Sequence, residues 1–174
     1  MLFVVAIVQP GQTLTADRLN SGFLVGMLLF RATRDTNQAI ATGNNPIVGN
    51  AISWETVELD DLGGWAVANP TRYTCRRAGW YELTGEVSLE ASTGGSVRGA
   101  AWYLNGSLVQ AGHGNRITAT PTNLVTVVSA RTLNLMLAVG DYVELVAVQN
   151  SGAALNTGTG GGRPSMNVTY KRPV

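Results

Sequence analysis

The sequence predicts an all-β fold of antiparallel strands, arranged as a sandwich or a barrel, from three observations. Helical periodicity is nearly absent, whereas apolar and polar residues alternate with a period of two in segments such as residues 80–90 and 166–170. Nine or ten strand-like segments are separated by Gly, Pro, Asn and Asp, and short strands with frequent turns are typical of sandwiches and barrels. The length of 174 residues is that of one domain.

The best-defined strand is predicted at residues 80–90, where alternate positions are apolar and the others are polar, as in an antiparallel strand with one solvated face. The dipeptide Asn105-Gly106 follows a predicted strand at residues 97–104 and is a strong signal for a hairpin turn. Further strands are predicted at residues 28–34, 51–58, 72–76, 108–111, 123–137, 142–149 and 166–170.

One short helix is predicted at residues 13–20, with Thr13 or Thr15 as its N-cap and Gly22 at its end. The apolar run at residues 22–30 is too short to span a bilayer, which needs about 20 apolar residues. The first eight residues lack the basic start and the cleavage site of a signal peptide. We therefore expect synthesis in the cytoplasm without an export signal, and no membrane partner.

The strand predicted at residues 142–149 is apolar on both faces, interrupted only by Glu144. One face is expected to pack against the other sheet of the fold, and the second face then needs a separate cover. The sequence favours a neighbouring subunit as that cover, with a local loop as the alternative. The subunit interface would then contain Tyr142, Val146 and Val148.

Charged residues are few in this chain. Hydrophobic residues make up 45% of it and charged residues only 13%, against about 25% charged residues in typical soluble domains. A surface with so few charges is expected to be covered partly by neighbouring subunits. The net charge is +1 and the eleven arginines are scattered, so the sequence excludes the basic patch of a nucleic-acid-binding protein.

No combination of residues predicts catalysis, a metal centre or a cofactor site. Cys75 and His113 are each the only residue of their type, so a catalytic cysteine or a metal site lacks its partners. Asp60 and Asp61 are adjacent, which points their side chains to opposite faces of a strand. The glycine-rich segment 158–162 lacks the Lys and Ser/Thr of a phosphate-binding loop. We therefore expect a protein that is not an enzyme, with Cys75 as a buried strand residue.

Several sequence patterns occur in a fixed order in the second half of the chain. They are Ala78-Gly79-Trp80-Tyr81, Trp102-Tyr103-Leu104-Asn105-Gly106, the segment 133–137, Gly140-Asp141-Tyr142-Val143-Glu144-Leu145 and the alternating segment 165–170. With this order, residues 73–174 resemble the globular head of the first complement component, within the tumour necrosis factor-like jelly rolls. The resemblance implies a ten-stranded antiparallel jelly-roll β-sandwich that forms a homotrimer.

The N-terminal part carries a second resemblance. Collagen-like Gly-X-Y repeats are missing, and residues 10–20, Pro-Gly-Gln-Thr-Leu-Thr-Ala-Asp-Arg-Leu-Asn, are similar to a segment near the start of many bacteriophage fibre and minor tail proteins. This resemblance implies a virion protein with an N-terminal docking arm at residues 1–26 and a jelly-roll domain at residues 27–174. The docking residues would be Leu2, Phe3, Val5, Ile7, Leu14 and Leu19.

Together, these resemblances imply a trimeric capsid decoration or head-fibre protein that docks to the particle through its arm and is displayed on the virion surface. The alternative is a minor tail or tail-fibre tip protein that binds a receptor or glycan on the host surface. In that case the loops expected to contact the host lie around Gly94, His113 and Gly158.

Overall fold

The computed structural model describes residues 13, 15, 16, 22–110, 115–119 and 124–174. Within these ranges the fold is all-β, with thirteen strands where ten were expected, because the two-residue strands at 39–40, 116–117 and 155–156 are too short to leave a periodic signal. The strands are β1 (Leu28–Thr33), β2 (Ala39–Ile40), β3 (Thr56–Asp60), β4 (Tyr73–Thr74), β5 (Gly79–Leu89), β6 (Arg98–Leu104), β7 (Ser107–Leu108), β8 (Arg116–Ile117), β9 (Thr126–Ser129), β10 (Leu133–Leu137), β11 (Tyr142–Gln149), β12 (Leu155–Asn156) and β13 (Ser165–Arg172).

Two antiparallel sheets enclose one hydrophobic core. The first sheet has the strand order β10-β5-β13-β1-β3, and β9 also pairs with β5. The second sheet has the order β4-β11-β6-β7, and β8 also pairs with β6, while β12 and β2 form a separate pair. Because the last strand, β13, lies between β1 and β5, long connections join the sheets, as in a jelly roll.

The alternation predicted for β5 and β13 is confirmed. Tyr81 and Leu83 of β5 lie opposite Tyr170 and Val168 of β13, and all four side chains are fully buried. The intervening residues Trp80, Glu82, Thr84 and Glu86 lie on the outward face and remain partly exposed, whereas Ser88, predicted on the same face, is fully buried beside Gly158. Burying an apolar side chain of this size stabilises the fold by about 1.5–3 kcal/mol, so this register is strongly favoured over a one-residue slip.

The core is rich in aromatic side chains. The ring centroids of Phe30 and Tyr73 lie 5.1 Å apart, and the Tyr81 and Tyr170 rings meet edge to face at 5.3 Å. Cys75 is buried beside them, as predicted, and burial raises the pKa of its thiol. The thiol is therefore protonated at neutral pH and unreactive. The largest fully buried aromatic residues are Trp54, Trp102, Tyr73, Tyr81, Tyr170 and Phe30.

The strand predicted at residues 51–58 is shorter in the structure, where β3 begins at Thr56. Ala51 instead bridges Val146 of the second sheet, and the Ile52 amide donates to the Leu145 carbonyl at 2.8 Å. The segment therefore passes from the edge of the second sheet to the edge of the first. Hydrophobic periodicity does not reveal which sheet an extended segment joins, so the prediction merged the two parts.

The long extended stretch predicted at residues 123–137 consists of two strands, β9 and β10, which pair with different parts of β5. The Ala130 amide donates to Gly85 at 2.8 Å, and the Arg131 carbonyl accepts a hydrogen bond from the Trp102 indole at the same distance. Because that carbonyl bonds a side chain from the other sheet, the strand ladder is interrupted between β9 and β10.

The helix predicted at residues 13–20 lies mostly outside the described residues. Residues 22–24 are helical, so the expected stop at Gly22 is wrong. The Met27 amide donates to the Leu24 carbonyl at 2.9 Å, and the turn ends at Gly26, whose φ of +83° is a conformation that suits glycine. Within the described ranges, no helix has the length and apolar character needed to cross a membrane.

Candidate functional surfaces

The chain itself covers the outward face of the second sheet. The Tyr103 hydroxyl donates at 2.8 Å to a carbonyl oxygen of segment 46–51, which lies over this face. Val146 and Val148 are 0% and 2% exposed in the single chain, so they offer no surface to a neighbouring subunit. The interface predicted from Val146 and Val148 is therefore corrected in favour of the alternative of a local loop, whereas Tyr142 is half-buried and its role stays a prediction.

Glu144, the charged residue that interrupts this apolar face, is also covered by its own chain. One carboxylate oxygen accepts hydrogen bonds from the Thr71 hydroxyl at 2.6 Å and from Arg72 Nε at 3.4 Å. The Arg72 guanidinium also lies 4.0 Å from the ring centroid of Tyr142, which is half-buried. A buried carboxylate needs such partners, and they come from the segment before β4.

One end of the sandwich, called the entry end, is where the N-terminal arm joins the body. The Gly26 amide donates to the Tyr170 carbonyl at 2.7 Å, and the Tyr170 amide donates to the Met27 carbonyl at 3.0 Å. Leu24 packs against the hydrophobic core and so anchors residues 22–27. The exposed large apolar residues at the entry end are Phe23, Val25, Met27, Met136, Val139 and Val174.

The predicted docking residues of the arm are not placed by the structure. Leu2, Phe3, Val5, Ile7, Leu14 and Leu19 lie outside the described residues. Their role therefore stays a prediction. The described part of the arm adds to it, because Phe23 is 70% exposed and Val25 44% exposed directly before the first strand.

The outward face of the first sheet is only partly covered. Along β5 it presents Trp80, Glu82 and Glu86, which are all half-buried. The Arg172 guanidinium lies 5.1 Å from the Trp80 ring centroid, and Lys171 pairs with Glu82 at 3.4 Å. This face therefore carries mixed polar and aromatic groups on β5 and β13.

A polar groove crosses this face and consists of two adjoining depressions of about 450 and 280 Å³. Both depressions share Glu86 and Ser165, and the exposed glycines 160 and 161 form part of the wall of the larger one. The remaining lining residues are Arg31, Thr33, Thr84, Gly85, Ser129, Ala130, Thr132, Arg163 and Asn167.

The opposite end of the sandwich is formed by three loop segments, 41–45, 91–97 and 150–154, together called the tip. The Gly43 amide donates to the Gln149 carbonyl at 2.7 Å, and the Asn150 amide donates to the Val97 carbonyl at 3.3 Å, so the three loops are joined by backbone bonds. The tip lies roughly 35 Å from the entry end, at about 3.3 Å per residue along β5.

The three predicted host-contact positions differ in their surroundings. Gly94 lies in the tip and is half-buried against Ser151. Residues 159–161 of the loop around Gly158 are exposed, so a host contact through this loop stays a prediction. Gly158 itself is buried, and its amide donates to the Ser88 carbonyl at 3.1 Å. Its role is to let the loop pack closely on the first sheet. His113 lies outside the described residues.

Two carboxylates near the tip are used within the fold. Asp35 accepts hydrogen bonds from Thr56 and Arg163, and these contacts hold the pKa of its carboxyl below the usual value. A hydrogen bond from the Thr36 hydroxyl at 2.6 Å is the main cause of the lowered pKa of Glu55. Among the described residues, no group of three or more His, Cys, Asp and Glu side chains forms a possible metal site.

Sequence reasoning missed three polar residues that organise the tip: Arg98, Gln149 and Asn150. Arg98 and Gln149 lie opposite each other on inward positions of β6 and β11, and both are fully buried. Arg98 begins β6 and Gln149 ends β11, and both strands are otherwise mostly apolar. These two polar residues, next to loops rich in glycine and small residues, were the available signal. Such a position is ordinarily solvated, so only the packing of the loops reveals that it is buried.

Comparison with solved structures agrees with this architecture. The globular domain of zebrafish complement 1qA protein matches with a TM-score of 0.53 and 13% identity, over 83% of this chain and 98% of that chain. The Eiger TNF from S. frugiperda matches with a TM-score of 0.53 and 9% identity, over 84% of this chain and 94% of that chain. The fold is therefore a complement C1q- and TNF-like jelly roll, as the sequence resemblance implied.

At these identities the likeness concerns the fold alone. No protein-family model and no curated protein matches the chain.

Proposed function

We propose that this chain is a non-enzymatic structural protein of a bacteriophage particle, where it acts as a homotrimeric capsid decoration or head-fibre protein docked through its N-terminal arm. The particle and its capsid or tail proteins would be its partners. The observation that carries the proposal is the separation of the two ends of the sandwich, since the arm joins the body at one end and the tip loops meet at the other.

The entry end supports the docking part of the proposal. Phe23, Val25 and Met27 expose 70%, 44% and 43% of their surface directly before β1, although apolar side chains of this size are usually buried. Leu24, between them, is anchored in the core. Apolar residues that continue along the arm would therefore leave the body at a fixed point, from which they can add to a groove or a sheet edge of the particle.

The first sheet supports the trimeric part. Its outward face is covered by the chain only in part, by the loop around Gly158, whereas segment 46–51 lies over the second sheet. Thr84 is central on this face, in β5, and a groove lies beside it. A chain with only 13% charged residues gains most from covering such a face with sister subunits.

The proposal is tested on particles of the virus that encodes the chain. We expect antibodies against the jelly-roll domain to label purified particles, and mass spectrometry of the same particles to detect the chain in multiples of three per attachment site. Labelling of the capsid supports a decoration or head-fibre role, and labelling confined to the tail supports the minor tail alternative. Complete absence from purified particles would contradict the proposal.

The trimer face is tested by changing Thr84 to arginine, which places a bulky charge at the centre of the face. Light scattering of the unchanged protein is expected to give three times the chain mass of 18.3 kDa, and the variant is expected to give the mass of one chain. Thr118→Arg is the matched control, since Thr118 is exposed near β8 of the second sheet, and it should remain trimeric. A Thr84→Arg variant that stays trimeric would assign the interface to another surface.

A further inference from the structure

We infer that the tip is a pre-organised binding surface for a neutral glycan of the host cell. The inference deepens the proposed function and rests on it in one respect, namely that the arm holds the entry end on the particle so that the tip projects outward. The argument uses three polar residues that hold the tip loops, of which Arg98 and Gln149 are fully buried, together with the chemistry of those loops.

Arg98 holds the loop that contains Gly94. Its side chain is fully buried, and its guanidinium donates to the carbonyl oxygens of Val97 at 2.9 Å, Gly94 at 3.0 Å and Ser92 at 3.3 Å. No carboxylate in the described part of the chain pairs with it. A buried cation is costly, and the three hydrogen bonds to carbonyl oxygens offset part of this cost while they order the loop.

Asn150 joins the same loop to the two other segments of the tip. Its side-chain oxygen accepts hydrogen bonds from the amides of Ser96 at 2.8 Å and Val97 at 2.7 Å, and its side-chain nitrogen donates to Asn44 at 3.0 Å. Gly95, with a φ of +66°, packs so closely on Asn150 that a Cβ would clash with it. Side-chain hydrogen bonds between the loops therefore fix the conformation of the tip.

Gln149 completes the support from below. Its side-chain nitrogen donates to the carbonyl oxygens of Ile40 at 2.8 Å and Ala153 at 2.9 Å, and its side-chain oxygen accepts from the Ser151 amide at 2.7 Å. Loops 91–97 and 150–154 are thus each tied to a buried polar side chain, and loop 41–45 is joined to them through the bond between Asn44 and Asn150. A surface that is already ordered loses little conformational entropy on binding, which favours recognition of a ligand that forms weak individual contacts.

The composition of the tip selects the class of ligand. Segments 41–45, 91–97 and 150–154 contain no charged and no aromatic residue. Anionic ligands are bound by Arg and Lys, and protein partners depend on Trp, Tyr and Arg at the centre of the interface, so neither class fits. Small hydroxyl, amide and backbone groups on a rigid scaffold match the hydroxyl groups of an uncharged sugar chain. The exposed hydrogen-bonding residues are Thr42, Asn44, Asn45, Thr93 and Ser96.

The test uses the purified full-length protein on an array of immobilised oligosaccharides, which contains neutral hexose and N-acetylhexosamine chains together with uronate-containing chains. We expect saturable binding to one or more neutral chains, with little change between low and high salt because no charges take part. Changing Ser96 to arginine should reduce this binding by at least about tenfold, equivalent to about 1.4 kcal/mol. Ser107→Arg, which makes the same change in the hairpin at the entry end, should leave binding unchanged.

Arg98→Met tests the support of the loops. We expect this variant to bind at least about tenfold more weakly and to show faster amide hydrogen exchange in residues 91–97. Should it fail to fold, Ser96→Arg keeps the test decisive because Ser96 is exposed. Stronger binding to the uronate-containing chains, no saturable binding to any chain, or full binding by Ser96→Arg would overturn the inference. Each of these results leaves particle labelling unaffected, so failure of the inference is distinct from failure of the proposed function.

Discussion

Replacement of Trp102 by alanine is expected to lower the free energy of unfolding by about 3–5 kcal/mol, a large part of the stability of a domain of this size. Trp102 is fully buried in β6, and its indole nitrogen donates to the Arg131 carbonyl at 2.8 Å. Its ring crosses the core to the first sheet, where a Cβ on Gly85 would lie only 3.2 Å from it. The variant would therefore leave a cavity and an unpaired carbonyl at the centre of the sandwich.

Chemical denaturation followed by circular dichroism measures this effect. The matched control is Trp80→Ala, since Trp80 lies on the outward face of the first sheet and is only half-buried. We expect Trp80→Ala to lower the free energy of unfolding of the isolated domain by less than about 1.5 kcal/mol. Equal decreases in the free energy of unfolding for the two variants would contradict the assignment of Trp102 to the centre of the core.

Deletion of residues 1–21 is expected to abolish incorporation into particles while leaving a folded protein with an unchanged free energy of unfolding. The deletion retains Leu24, which packs on the core, and Gly26, which donates to the Tyr170 carbonyl at 2.7 Å. The body therefore keeps the contacts of its first turn. The six docking residues predicted from the sequence, Leu2, Phe3, Val5, Ile7, Leu14 and Leu19, are removed together.

Incorporation is measured by mixing the purified protein with particles that lack it and by quantifying the bound chain after sedimentation. In the control, residues 1–21 are replaced by a Gly/Ser segment of equal length, which separates the loss of apolar residues from the loss of length. Both variants should remain in the supernatant. Sedimentation of either variant with the particles at the level of the unchanged protein would refute docking through the arm.

The strands with one buried and one solvated face were predictable from the sequence. In β5 and β13, neighbouring residues meet opposite environments, so the apolar period of two marks both the strand and its inward face. The turn at Asn105-Gly106 was predictable for a similar reason, because its φ values of +51° and +75° belong to a tight hairpin that these residues favour.

The surface that covers β11 was not predictable. Both faces of this strand are apolar, and the sequence contains no information on whether a loop of the same chain or a second chain lies over them. Segment 46–51 proved to be that cover, through contacts between residues that are 57 positions apart (Pro46 and Tyr103) or farther (Ala51 and Val146). Such contacts leave no periodic signal in either segment.

By itself, the sequence determined the all-β class, the positions of the long strands and, through the order of its patterns, the complement C1q- and TNF-like jelly roll. Each of these depends on local alternation or on turn chemistry that acts between near neighbours. Only the tertiary structure decided which faces are open and which polar residues are buried. Arg98 and Gln149 are polar in sequence, yet both are fully buried, because loops from three parts of the chain close over them. Burial depends on distant segments, and a pattern of adjacent residues does not record it.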